Sequence, residues 1–440
     1  MYSELHDSNH RDVGERMKKI MNRPMHSRVM YVTAGILCAL MVMYALAASP
    51  VICAQENDDV YAVAKSTNVF ASELFYWLSP DEGNLFFSPY GISSALAMTY
   101  AGARGNTAVQ MARVLAFTLP PEKLDPAMLE LMGMLHAMDN GYQLFVANAL
   151  WAQTGYAFRP EFLTVIDKYY SAGFKEVDYN DATEREQTRQ KINTWTAENT
   201  GNKIIELIKP KVLDEGTRLV LTNAIYFKGM WRFPFKAKST EEDSFNVSPQ
   251  EPPVRVPMMH QTGKFKYAED QDVQILEMPY AGGGLAMVIV LPRSFTKMRD
   301  VRDALSRDLD SRLARLSARK VQVSLPRFKV EKECILNEPL IELGMVYAFD
   351  ARSADFSGMT SDPAGLYISK VIHKAFIEVN EEGAEAAAAA AVLMNVSARS
   401  SVRQTPTIFV ADRPFFFLIR DTRTGAVLFM GRLSDPRQEF

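Results

Sequence analysis

Cysteine is scarce. The 440-residue chain has 3, too few for a disulfide scaffold, so packing must hold the fold. Histidine is sparse too. Of 6 in the sequence, the three beyond residue 54, His136, His260 and His373, are far apart, and with so few cysteines they make no structural zinc site. There is no G-x-S-x-G, H-E-x-x-H, phosphate-binding loop or dinucleotide fingerprint, which removes the commonest motif-bearing enzyme classes. Gly282-Gly283-Gly284 lies between strand-like runs and opens no helix, so it reads as a turn. Glycine at 23 and proline at 22 are too few for a fibrous or wholly disordered chain. A net charge of −3 gives no electrostatic footprint for nucleic acid. What remains is an ordinary globular composition, 48% hydrophobic and 23% charged. No cofactor and no metal are expected.

One stretch lacks charge altogether, from Met30 to Ala54. Arg16, Lys18, Lys19, Arg23 and Arg28 precede it. A basic flank followed by an apolar run reads as a signal peptide, with cleavage after Ala54 or after Ala47. The run is also long enough for an uncleaved signal anchor. Residues 1–54 are therefore set apart from a domain at 55–440, and secretion is expected, with a signal-anchored membrane protein as the alternative. Removing the segment takes Cys38 and Cys53 with it and leaves Cys334 unpaired.

Along the rest, apolar residues at helical spacing predict helices over Val60–Leu78, Ile92–Ala103, Leu124–Met138, Pro160–Tyr170 and Gln187–Asn199. Ser88-Pro89 opens the second of these. Strand-like runs follow at Gln143–Trp151, Arg218–Lys228, Gln274–Met278, Leu285–Leu291, Val321–Leu325, Ala375–Val379, Thr407–Val410, Phe415–Ile419 and Val427–Met430. Helices come early and strands late. With no repeat and no Gly/Ser linker, this predicts one large α+β domain with large sheets.

Between two late strands lies EEGAEAAAAAAVLMNVSARSSVRQT, Glu381 to Thr405. By composition it reads as a short exposed helix or a linker, since alanine is the best helix former. A long polar loop near the end of a compact domain is uncommon and usually functional or disordered, and such loops are where proteases cut.

Glu381-Glu382-Gly383-Ala384-Glu385 followed by alanines resembles the hinge of serpins, the serine protease inhibitor superfamily. Asn84-Leu85-Phe86-Phe87-Ser88-Pro89, Thr222-Asn223-Ala224-Ile225-Tyr226-Phe227-Lys228-Gly229 with Trp231, Ala354-Asp355-Phe356-Ser357-Gly358, His373-Lys374-Ala375, Pro414-Phe415 and Phe429-Met430-Gly431-Arg432 are similar to serpin signatures, in the family's order. The pattern looks most like serpins of blood-feeding arthropods.

The resemblance implies a single serpin domain: large mixed sheets, a cluster of N-terminal helices and an exposed reactive-centre loop over about 381–405. It also implies a monomeric suicide-substrate inhibitor of a trypsin-like or elastase-like serine protease. The cleaved loop enters the central sheet as a new strand and traps the acyl-enzyme. Its hinge would be Glu381, Gly383, Ala384, Ala386, Ala388 and Ala390, with the four small alanines on one face of the incoming strand. Ala384 stands where threonine is usual. Ser88, Asn223 and His373 would form the polar shutter under the central strands, and Trp231, Arg327 and Glu381 the breach where the loop enters. Gly91 replaces a common serine there. The reactive bond, fourteen residues after the hinge glycine, is Ser397–Ala398, with Arg399–Ser400 as the alternative. Asn246 and Asn395 are glycosylation sequons. Arg312, Arg315, Arg319 and Lys320 form a basic cluster in a helix-like stretch, Lys297 to Lys320, that would bind polyanions at most weakly, because aspartates interleave. The alternative function is a non-inhibitory serpin serving as carrier, store or chaperone.

Overall fold

Helices dominate the first part of the chain because apolar residues recur there every three or four positions. The computed structural model describes residues 58–79, 83–136, 141–170, 173–362, 365–384 and 405–437. From Asp59 onward they belong to one compact unit. Helix α1 spans 58–78 and buries Val60, Val63, Phe70 and Leu74. Strand β1, Leu85–Phe87, leads into α2, Pro89–Gly102. Ser88 caps α2: its Oγ accepts from the Gly91 N–H at 2.9 Å, and Pro89 occupies the first turn. Most of α2 is buried, as suits a helix apolar on every side. Then come α3 (Gly105–Val114), α4 (Pro121–His136), α5 (Pro160–Tyr170) and α6 (Ala182–Asn199). Helix α6 is polar over much of its surface and starts at Asp181, whose carboxylate accepts from the N–H groups of Thr183 and Glu184. Two further helices, α7 (Met298–Ala314) and α8 (Asn337–Glu342), lie among the strands.

The central sheet contains β2 (Tyr142–Gln153), β3 (Gly173–Val177), β4 (Leu219–Met230), β10 (Phe328–Ile335), β11 (Ile368–Val379) and the two-residue β12 (Gly383–Ala384), in the order β10-β11-β12-β4-β2-β3. Side chains alternate between its faces. One face joins the main core with α2, and the other forms a second core around Trp151, Ile192 and Tyr179 beneath α6.

The second sheet contains β5 (Thr240–Phe245), β6 (Val254–Glu269), β7 (Val273–Pro279), β8 (Leu285–Pro292), β9 (Ser317–Pro326), β13 (Thr407–Val410), β14 (Phe415–Asp421) and β15 (Val427–Leu433), with β1 at one edge. Its order is β1-β15-β14-β8-β7-β6-β9-β13, and β5 pairs with β6. Strand β8 is buried throughout, consistent with its unbroken apolar run. Gly282, Gly283 and Gly284 all take positive φ in the turn between β7 and β8. The class is α+β with large mixed sheets. The expected long basic helix ends at Ala314, so Arg319 and Lys320 lie on β9 instead. Among the described residues no helix is long and apolar enough to cross a membrane. The uncharged run Met30–Ala54 lies outside the described residues.

Candidate functional site at the parting of the central sheet

Strands β4 and β11 run parallel and pair directly from Leu219 and Ile368 up to Tyr226 and Phe376. Above that rung they part. The chain leaves β11 at Val379, turns at Asn380–Gly383 and re-enters as β12, with Ala384 opposite both Val379 and Gly229 and Gly383 opposite Met230. The turn is closed by Asn380 N–H donating to Gly383 O at 2.8 Å and by Glu382 N–H donating to Asn380 Oδ1 at 3.0 Å. Asparagine suits that role because its side chain imitates a backbone acceptor. Gly383 has φ +146, and a Cβ there would overlap the Gly229 carbonyl. Only glycine fits.

The hinge is pinned from beneath. Glu381 is almost fully buried. Its Oε1 accepts from Arg327 Nε at 2.8 Å, from the second Arg327 nitrogen and from Thr240 Oγ1. Burial pushes this carboxyl up, but the bonds from Arg327 and Thr240 outweigh it and hold it below 4.5. Trp231 donates from Nε1 to Asn380 O at 3.0 Å and from its backbone to Glu382 O at 2.7 Å. Its ring stacks on Tyr280 at 4.6 Å. The three residues expected at the breach are thus around one turn. Thr240 and Tyr280 complete the surroundings, and neither carried a sequence signal.

Lower in the sheet, Asn148, Asn223 and His373 stand at one level on β2, β4 and β11. The Ser88 N–H donates to His373 Nε2 at 3.1 Å. A backbone amide can only donate, so Nε2 carries no proton and Nδ1 does. Nδ1 then donates to Asn223 Oδ1 at 2.6 Å. Asn223 Nδ2 donates to Asn148 Oδ1, and Asn148 Nδ2 donates to Ser94 Oγ at 3.2 Å. Ser88 Oγ donates to Leu428 O at 2.6 Å. The directions of the bonds from Nδ1 through Asn223 and Asn148 to Ser94 follow from the first. Burial pushes the imidazole down to about 3, so it stays neutral. The structure brings Ser88, Asn223 and His373 together as the sequence suggested, and it adds Asn148 and Ser94. At Gly91 a Cβ would lie 2.7 Å from Asn223 Oδ1, so this position leaves room for the Asn223 amide. Cys334, in register with His373, is buried, and its thiol is pushed up to about 11.

Ala386, Ala388, Ala390, Asn395, Ser397, Ala398, Arg399 and Ser400 lie outside the described residues. Asn246 is half-buried, and its side-chain amide donates to Asp412 O at 3.1 Å, an arrangement that does not favour a glycan. In the basic cluster, Arg312 and Arg315 reach Asp270 at 3.1 and 3.4 Å, and Arg319 reaches Glu269 at 4.0 Å.

A family model described as Serpin (serine protease inhibitor) matches residues 65–436. Serpin B6 of Macaca fascicularis is 42% identical over 385 residues, covering 86% of this chain and 100% of that protein. Leukocyte elastase inhibitor of Homo sapiens is 39% identical over 378 residues, covering 83% and 97%. The crystal structure of Serpin48 from the insect Tenebrio molitor superposes with a TM-score of 0.75 at 32% identity, covering 85% of this chain and 98% of that one. Two expectations change. Curated relatives at 35–42% identity include mammalian and archaeal proteins, which does not support an arthropod origin. Similarity to Serpin B6, leukocyte elastase inhibitor and Serpin B8 does not support extracellular secretion, which overturns that expectation. A hinge turned into a parting sheet, a buried polar row beneath it and a match over nearly the whole chain lead to one conclusion: this chain belongs to the serpin family of serine protease inhibitors.

Proposed function

We propose that the chain inhibits a serine protease as a suicide substrate whose cleaved loop becomes a full strand between β4 and β11. One observation carries this reading: Gly383 and Ala384 already pair with β4, Ala384 also pairs with β11, and below them β4 and β11 pair directly with each other. Continuing the register, Ala386 comes opposite Phe227 and Ile377, and Ala387 opposite Tyr226 and Phe376. Ala384, Ala386, Ala388 and Ala390 then face the main core and Glu385 the opposite face. Small side chains meet little resistance there, whereas a charge at Ala384 would be buried at a cost of a few kcal/mol.

The reactive bond is Ser397–Ala398, fourteen residues after Gly383. The protease serine attacks the Ser397 carbonyl, the bond to the Ala398 nitrogen breaks, and that nitrogen leaves protonated. The ester to Ser397 stays attached while the hinge inserts. Small residues at Val396 and Ser397 suit an elastase-like pocket, in keeping with the relative named leukocyte elastase inhibitor. Arg399–Ser400 would suit a trypsin-like pocket and needs an insert two residues longer. Polyanion binding is no part of this reading, because Arg312, Arg315 and Arg319 face acids.

Incubation with elastase, trypsin and chymotrypsin should give a covalent complex that survives SDS. The mass of the released C-terminal peptide, starting at Ala398 or at Ser400, identifies the bond. Ala384→Arg should be cleaved without forming the complex. Cleavage with no adduct for every protease overturns the reading.

A further inference from the structure

The rung at which β4 and β11 part is built differently from those below it. On the α6 face of the sheet, Phe145, Tyr226 and Phe376 form one row across β2, β4 and β11. Phe145 stacks on Tyr226 at 5.5 Å and 21°, and Tyr226 meets Phe376 at 5.6 Å and 57°. A lysine ammonium lies over each ring of the second pair, Lys203 at 6.0 Å from Tyr226 and Lys329 at 5.4 Å from Phe376. Tyr226 and Phe376 are both buried. The Tyr226 hydroxyl is buried and has no partner among the described residues.

These facts separate two contacts that look alike. Phe145 and Tyr226 sit on neighbouring strands that stay neighbours when a strand enters. Tyr226 and Phe376 sit on the two strands that must separate, at the last rung they share. Their contact is the first side-chain contact across the parting line that an incoming strand has to break. Aromatic pairs contribute beyond the area they bury, and cations over the faces add to that. The orphan hydroxyl works the other way, since a buried group without a partner is unfavourable.

We propose that Tyr226 and Phe376 form a clasp across the parting line, and that its opening sets how fast the loop inserts. The proposal rests on the insertion mechanism above and assigns its barrier to two positioning residues. A contact made when the sheet is closed and lost as it opens raises the barrier by what it contributes. Removing it should therefore speed insertion roughly two- to tenfold.

The test uses a synthetic peptide of the sequence Ala384–Val396 added to the intact protein. Its annealing is followed by the rise in melting temperature with time. Phe376→Leu and Tyr226→Leu should anneal the peptide roughly two- to tenfold faster than the wild type. Phe145→Leu removes a similar ring contact on one side of the line. It should lower the urea midpoint comparably and leave the annealing rate unchanged. Tyr226→Phe keeps the ring and loses the orphan hydroxyl, and should anneal no faster than the wild type. Equal rates for wild type, Phe376→Leu and Tyr226→Leu overturn the clasp, as does equal acceleration by Phe145→Leu. If the wild type neither anneals the peptide nor gains stability on cleavage of its own loop, the insertion mechanism itself fails and the clasp with it.

Discussion

The ion pair under the hinge gives a quantity to measure. Glu381 keeps only 9% of its side-chain surface in water, while its partner Arg327 keeps 45%. A pair exposed on both sides contributes about 0–1 kcal/mol, and breaking a fully buried one costs about 3–5 kcal/mol. Arg327 can rehydrate if Glu381 is removed, so the coupling should lie between, at about 1–2 kcal/mol. The assay is a double-mutant cycle on urea unfolding at pH 7.5 with wild type, Glu381→Ala, Arg327→Ala and the double variant. The carboxyl is held below its ordinary 4.5 in the folded protein. Its contribution is thus present above pH 4.5 and is lost as pH falls through the folded value. The coupling should fade in that window and change little with salt at pH 7.5, because Glu381 is shielded from counterions. Additive single variants at pH 7.5, within about 0.3 kcal/mol, would refute the idea that this pair restrains the hinge.

Two other groups give pH signatures of opposite sign. Burial between helices pushes Asp125 up from 3.8 to about 6, although Tyr170 donates to it at 2.6 Å. Raised in the fold, it withdraws stability as pH climbs through that range. Asp125→Asn should gain about 3 kcal/mol at pH 7.5 and almost nothing below pH 4; equal urea midpoints at pH 7.5 would contradict this. His373, pushed down from 6.5 to about 3, must stay neutral in the fold, so stability should fall as pH drops from 6.5 toward 3. Between pH 7.5 and 5 this group should account for about 2 kcal/mol of loss. His373→Gln should flatten that limb in urea titrations, and an unchanged limb would show that the imidazole is not the cause.

The sequence carried the elements whose pattern is set by burial on one side or both. Pro160–Tyr170 and Thr407–Val410 have the predicted bounds, and β8 differs from its predicted run by one residue. Helix α6 begins five residues before the predicted start, because its first turns are polar and its cap, Asp181, supplies the only signal. Strand β6 was invisible: Pro257 and Gly263 interrupt it, and exposed polar residues alternate with buried ones as it runs from β9 and β5 to β7. At the site, the breach and shutter positions followed from resemblance to a family, not from spacing. Asn148 and Ser94 could not be found that way. An asparagine within an apolar strand gives no hint that its partner lies 75 residues further on. The clasp was equally hidden, since Tyr226 and Phe376 become neighbours only through the parallel register of β4 and β11.

One comparison bears most directly on the whole account: the melting temperature of the intact protein against that of the same protein cleaved in the 385–404 segment. If Gly383 and Ala384 are the first rungs of a strand waiting to form, the cleaved protein gains a full ladder between β4 and β11 and melts well above the intact one. A cleaved protein that melts at the same temperature or lower has gained no strand, and insertion as the basis of inhibition would be wrong.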